Sequence, residues 1–138
     1  MDIVDRLIDH DTWMTRQMLE RALGLSDEQL DAPVAIPKTP LPFESEEGTL
    51  RGALNRLVHT KEIWLAAVRN QPIPESLDMS IPGMLNRLDT SFIEYAEVVR
   101  RVRDENRWDE QFVDEMGEQP EWFSYGGMVA HVVTFSAF

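Results

Sequence analysis

Apolar residues recur at helical spacing along four stretches of the chain, and proline-rich breaks separate them. In the first stretch, residues 2–23, one stripe carries Ile3, Leu7, His10, Met14 and Met18 and is continued by Leu25. Asp9, Thr12 and Arg16 turn away from it. Gly24 supplies a stop, and Ser26-Asp-Glu-Gln29 has the form of a capping box for a short helical turn. Residues 32–48 hold Pro33, Pro37, Pro40 and Pro42, then Glu44, Glu46 and Glu47. Prolines at that density forbid a continuous helix and predict an extended crossing segment.

The second helix runs from Thr49, a good N-cap, to Asn70, with Leu50, Ala53, Leu54, Leu57, Trp64, Leu65 and Val68 on its stripe. Arg56 lies on the flank of that stripe. His59 falls half a turn from its centre and reads as an exposed helix histidine. The third helix starts near Ser80, has Pro82 in its first turn, and buries Leu85, Leu88, Phe92, Ala96, Val99 and Val102. Residues 107–122 are acidic and irregular. Phe112-Val113 and Trp122-Phe123 flank a Gly117/Pro120 turn region there, which allows a small hairpin.

The fourth helix is capped by Ser124. Met128, His131, Val132, Phe135 and Phe138 share its stripe, so His131 is expected to point into a core. An imidazole placed there needs a hydrogen bond, a metal or a substrate. It reads first as a hydrogen-bonded core residue and second as part of a site. The sequence stops without a C-cap, so the helix either ends frayed or belongs to a chain truncated within it. The expected fold class is all-α: one domain over residues 1–138, a four-helix bundle with a long crossing segment between helices one and two.

Composition narrows the function. The chain has 138 residues and no cysteine, which excludes disulfides, thiolate ligands and cysteine nucleophiles and fits a reducing cytoplasm. The opening Met-Asp-Ile-Val-Asp-Arg lacks the basic start of a signal peptide. No apolar run is long enough for a membrane span. The formal charge is −12, from 25 acidic and 13 basic side chains, which disfavours nucleic acid as a partner. The densest basic run, Arg100-Arg101-Val102-Arg103, precedes Asp104 and Glu105 and reads as the solvated end of a helix. A small molecule is the expected partner.

No phosphate loop, nucleophile elbow or His-Glu zinc motif is present. His10 and His131 are the usable ligands on apolar stripes, roughly 12 and 10.5 Å from their helix starts. If the two helices run parallel and adjacent, the imidazoles sit at similar depth. Two histidines make half of a tetrahedral zinc site, and Asp11 either ligates, orients an imidazole or is a surface carboxylate. The tryptophans and methionines read as core filler. Glu44, Glu46 and Glu47 read as a favourable run before a helix N-terminus rather than as a hard-cation site.

Five stretches resemble the DinB superfamily: Asp9-His-Asp-Thr-Trp13, Ala22-Leu-Gly-Leu-Ser-Asp-Glu-Gln-Leu30, Gly48-Thr-Leu-Arg51, Glu62-Ile-Trp64 and Tyr125-Gly-Gly-Met-Val-Ala-His-Val-Val-Thr134. The resemblance covers nearly the whole chain but rests on scattered residues. It implies a four-helix bundle, commonly dimeric. In many members three histidines hold a divalent metal, one from helix two and an H-x-x-x-H pair from helix four. Some relatives are thiol-dependent transferases or isomerases.

This chain departs from the pattern at the metal ligands. Arg56 stands at the helix-two histidine position, Phe135 at the first position of the pair, and the second would be position 139. The family's metal is therefore not expected here. The leading expectation is a pocket for a small, anionic ligand at the former metal site, lined by Arg56, His131 and Phe135 with His10 nearby. The second is an enzyme of the thiol-transferase or hydrolase type, with zinc or nickel displaced onto His10, His131 and Asp11. The third is a structural or interaction homodimer without catalysis.

Overall fold

The computed structural model describes residues 2–34, 48–74, 76–115 and 117–135. Most of the proline-rich segment, Glu44, Glu46, Glu47 and Phe138 lie outside them. The described residues form α1 (Ile3–Ala22), α2 (Asp27–Asp31), α3 (Leu50–Arg69), α4 (Ile81–Asp104), β1 (Gln111–Asp114), β2 (Glu121–Ser124) and α5 (Tyr125–Phe135). The described residues are thus mostly helical, with a small two-stranded sheet among them. None of its described helices is long and apolar enough to cross a membrane.

Local chemistry sets the ends. Asp2 and Asp5 close a capping box on α1, and Ser26 and Gln29 close one on α2. The Thr49 hydroxyl accepts the Gly52 amide at 3.1 Å. Asn70 ends α3 in the left-handed region, φ 51° and ψ 48°, which an asparagine tolerates. Ser80 caps α4 and Pro82 sits in its first turn. The hairpin is antiparallel, with Phe112 opposite Phe123 and Val113 opposite Trp122. The segment leading into β1 is tied to α5 where the Trp108 carbonyl accepts the Gly126 amide at 2.8 Å. A Cβ on Gly126 would stand 3.1 Å from that carbonyl oxygen, so a larger residue would crowd the junction.

Contacts fix the helix directions. Asp5 reaches Arg100 and Arg103 while Arg16 reaches Asp89, so α1 and α4 are antiparallel. Glu62 meets Arg87 and Arg69 meets Glu94, so α3 and α4 run parallel. Asp11 meets Lys61, Ile8 shares a cluster with Leu65, and Leu19 shares one with Leu54; α1 therefore opposes α3. Trp64 meets His131 and Arg56 meets Phe135, so α5 also opposes α3 and runs parallel to α1.

The core has two apolar parts. One gathers Ile8, Leu65, Tyr95, Val99, Phe112 and Val132. The other gathers Leu19, Leu30, Leu54, Val58, Met84 and Leu88. Along α1, α3 and α4 alike, buried polar residues sit between the two parts: Asp11, Thr12 and Thr15, then Lys61, then Ser91.

That polar layer corrects the expected face of α1. Its buried positions are Ile8, Asp11, Thr12, Thr15, Leu19 and Ala22. Ile3 and Leu7 are 67% and 44% exposed, His10 and Met18 are exposed too, and Thr12 is buried rather than turned away. Half of the buried positions are polar, so hydropathy alone points to the wrong side of the helix. On α5 the buried face is Met128, Val129 and Val132, which leaves His131 exposed rather than in the core. On α3, Ala53 is exposed and His59 is partly buried instead of exposed.

Arginines tie the helices at their ends. Arg51 bonds Asp27, Asp31 and the Met79 carbonyl, joining α2, α3 and the approach to α4. Arg100 and Arg103, read above as a solvated helix end, clamp the start of α1. The hydrogen bond from Arg100, joined by those from Arg103 and the Asp2 amide, outweighs desolvation and holds the Asp5 carboxyl down at about 2. A carboxylate depressed in the folded state adds stability above its unfolded pKa, near 3.9, and loses it as pH falls through the folded value. Acid unfolding of Asp5→Asn, followed by circular dichroism, should therefore show a shallower loss of stability between about pH 4 and pH 2. An unchanged acid limb would remove this ion pair from the account.

Candidate functional site

Arg56, His131 and Phe135 come together, as expected from the sequence. Arg56 lies on α3, and its guanidinium carbon stands 5.1 Å from the centre of the Phe135 ring on α5, a cation–π distance. The His131 ring is 5.8 Å from Phe135 and 5.6 Å from Trp64, which it meets at 63°. Trp64 adds a face the sequence reading had assigned only to packing, and its other edge-on partners are Phe112 and Phe123 of the hairpin. The cluster thus offers one permanent cation and an exposed imidazole over an aromatic wall. A guanidinium and an imidazole beside aromatic rings are the groups that suit a planar anion such as a carboxylate.

His10 does not join this cluster through any described ring contact; it stacks on exposed Trp13 at 5.9 Å. α1 and α5 run parallel, as the shared site required, but His10 and His131 are both exposed. Asp11, their proposed companion, points the other way. Among the described residues no three His, Cys, Asp or Glu side chains gather closely enough to hold a metal ion.

Asp11 instead belongs to a buried polar group that the sequence reading missed. Its Oδ2 stands 2.8 Å from Lys61 Nζ, with the two side chains 4% and 1% exposed. The approach is that of an ion pair rather than of an aligned hydrogen bond: Lys61 Nζ, Asp11 Oδ1, Thr12 Oγ1 and the Tyr95 hydroxyl lack a hydrogen-bond partner among the described residues. Burial, with the nearby Asp11 charge, pushes the Tyr95 phenol above its usual range. A signal for this group exists in the sequence. Lys61 continues the run Leu54, Val58 and Leu65 at helical spacing, and a lysine among such residues calls for an anion opposite.

A second polar network joins α3 to α4. Arg87 donates to both Glu62 oxygens, at 2.5 and 3.2 Å, and also to Asn55 Oδ1 at 2.8 Å and the Asp78 carbonyl at 2.9 Å. His59 Nδ1 lies 3.2 Å from Glu62 Oε1. Burial alone would raise the Glu62 carboxyl, but hydrogen bonds from His59 and Arg87 and the arginine charge outweigh it and hold it below the ordinary range.

Two surface hollows lie elsewhere. One runs along the end of α4 at Glu97, Arg101 and Asp104; the other is bounded by Leu23, Leu30, Arg51 and Pro82. Neither is lined by Arg56, His131 or Phe135. No protein-family model matches the chain, and no curated protein does either.

Proposed function

We propose that this protein is a DinB-like four-helix bundle, built from α1, α3, α4 and α5, that binds a small anionic ligand at the contact of α3 with α5. One observation carries the reading: Arg56 and Phe135, which stand at ligand positions of the resembled family, and His131, the polar residue of the last helix's stripe, meet in space with Trp64. Guanidinium would take the anion, imidazole would add a hydrogen bond, and the rings would cover the ligand's apolar part. No metal is needed in this reading, and nucleic acid and membrane are not its partners. The net charge of −12 is consistent with that: one local cation, not a broad basic face, selects the ligand.

Thermal melts of the purified protein against small carboxylates and phosphates test it. A saturating ligand at about 100 times its Kd should stabilise the wild type by about 2.7 kcal/mol. Arg56→Gln should abolish the response. His131→Ala, a surface change, should alter unliganded stability by no more than about 0.5 kcal/mol while weakening the response. A response that survives Arg56→Gln would place the ligand elsewhere.

The third expectation, a homodimer, has its own support. Ile3, Leu7, Trp13 and Met18 leave an exposed apolar strip along α1. If a second copy covers it, light scattering should give twice the chain mass for the wild type and the single mass for Leu7→Glu. A monomeric wild type would end that reading.

A further inference from the structure

The network around Glu62 holds a carboxylate and an imidazole in fixed register on α3. Arg87 grips both oxygens of Glu62, and Asn55 and the Asp78 carbonyl hold Arg87 in turn. Arg87 and Glu62 are largely buried, their side chains 11% and 19% exposed, so the carboxylate has little freedom to rotate away. It is also kept ionised, since the bonds it accepts outweigh its desolvation. An ionised carboxylate accepts hydrogen bonds and donates none. His59 Nδ1, 3.2 Å away, must therefore be the donor. A neutral imidazole has one N–H, so the His59 lone pair is left on Nε2, which has no partner among the described residues.

We propose that His59 is a general base held ready by Glu62 and Arg87, with Nε2 the atom that takes a proton from water or from the hydroxyl of a small molecule bound beside α3. The transfer breaks the O–H bond and forms Nε2–H. The resulting imidazolium stays paired with the Glu62 carboxylate through Nδ1–H. The Arg87 guanidinium, which shares Glu62, faces the pair, and beyond it the Asp78 carboxylate accepts from the Ser80 hydroxyl and feels the Arg87 charge. A second carboxylate–imidazole pairing of this kind is absent from the described surroundings of His10 and His131, whose contacts are with aromatic rings. With a water as the proton donor and an activated ester as the electrophile, the water oxygen bonds to the acyl carbon and its proton passes to Nε2. The alcohol or phenol oxygen then leaves with its bonding electrons.

Nitrogen-15 correlation spectra of the full chain with labelled histidine, taken where the imidazoles are neutral, test the arrangement directly. The His59 signals, assigned by their loss in His59→Gln, should report the Nδ1–H form, although unconstrained histidine favours Nε2–H. Glu62→Ala should return them to the Nε2–H form. If Glu62→Ala does not fold, the wild-type spectrum alone decides. The reactivity is read with p-nitrophenyl acetate as the probe: its protein-dependent hydrolysis should fall by about 100-fold in His59→Gln, the lower end of what a positioned base supplies. A wild-type His59 in the Nε2–H form overturns the proposal, as does hydrolysis that His59→Gln leaves unchanged. Neither readout involves Arg56, so the anion site can fail or stand separately.

Discussion

The Asp11–Lys61 pair is the constraint on which the placement of α1 depends. Both charges are almost wholly removed from water, so neither can be left without the other. Removing one partner of such a pair costs about 3–5 kcal/mol, far more than any surface contact in this protein supplies. The pair joins α1 to α3 in the middle of the molecule, between two apolar clusters. It sets the rotation of α1 about its own axis, because a turn of one residue would carry Asp11 out of reach of Lys61. Thr12, Thr15 and Ser91 line the same level, and Thr15 and Ser91 satisfy themselves on carbonyls of their own helices.

The outer surface follows from that rotation. With Ile8, Asp11, Thr15 and Leu19 inward, the more apolar stripe of α1 faces out, and His10 goes with it. The same layer leaves α5 to pack by Met128, Val129 and Val132, which turns His131 onto the surface beside Trp64 and Phe135. The two polar centres proposed to carry function therefore flank α3 on different sides. Arg56 and Trp64 face α5, whereas Asn55 and Glu62 face Arg87 of α4. A rigid helix between them suits both, since sites built on helices hold their geometry better than sites built on loops.

Much of this was legible in the chain. Caps marked helix starts well: Ser26, Thr49 and Ser124 stand where side-chain oxygens meet free amides, and α4 starts beside Ser80 as read, whereas the Asp2 cap of α1 came only with the structure. The hairpin was visible in Phe112-Val113 and Trp122-Phe123 around a turn. Arg56 and Phe135 were singled out because their positions match ligand positions of the resembled family, and His131 because it breaks the apolar stripe one turn before Phe135. Faces were less legible. Periodicity reads which residues are apolar, not which are inside, and α1 hides three polar residues inside while exposing Ile3, Leu7 and Met18. On α5 nearly every residue is apolar or small, so the stripe was underdetermined and His131 was placed a step too far inward. The Glu62–Arg87 pair was invisible for another reason: it joins two helices through residues 25 apart, and nothing local announces it.

A double-mutant cycle on Asp11 and Lys61 tests the central claim most directly. Chemical denaturation would be measured for the wild type, Asp11→Leu, Lys61→Met and the double variant. Each single change should cost about 3–5 kcal/mol, because it strands a buried charge. The double variant should recover most of that loss, with a coupling at or above the upper end of the usual 0.5–3 kcal/mol for contacting residues. Single variants that lose little, with effects that simply add, would contradict the pairing and with it the orientation of α1.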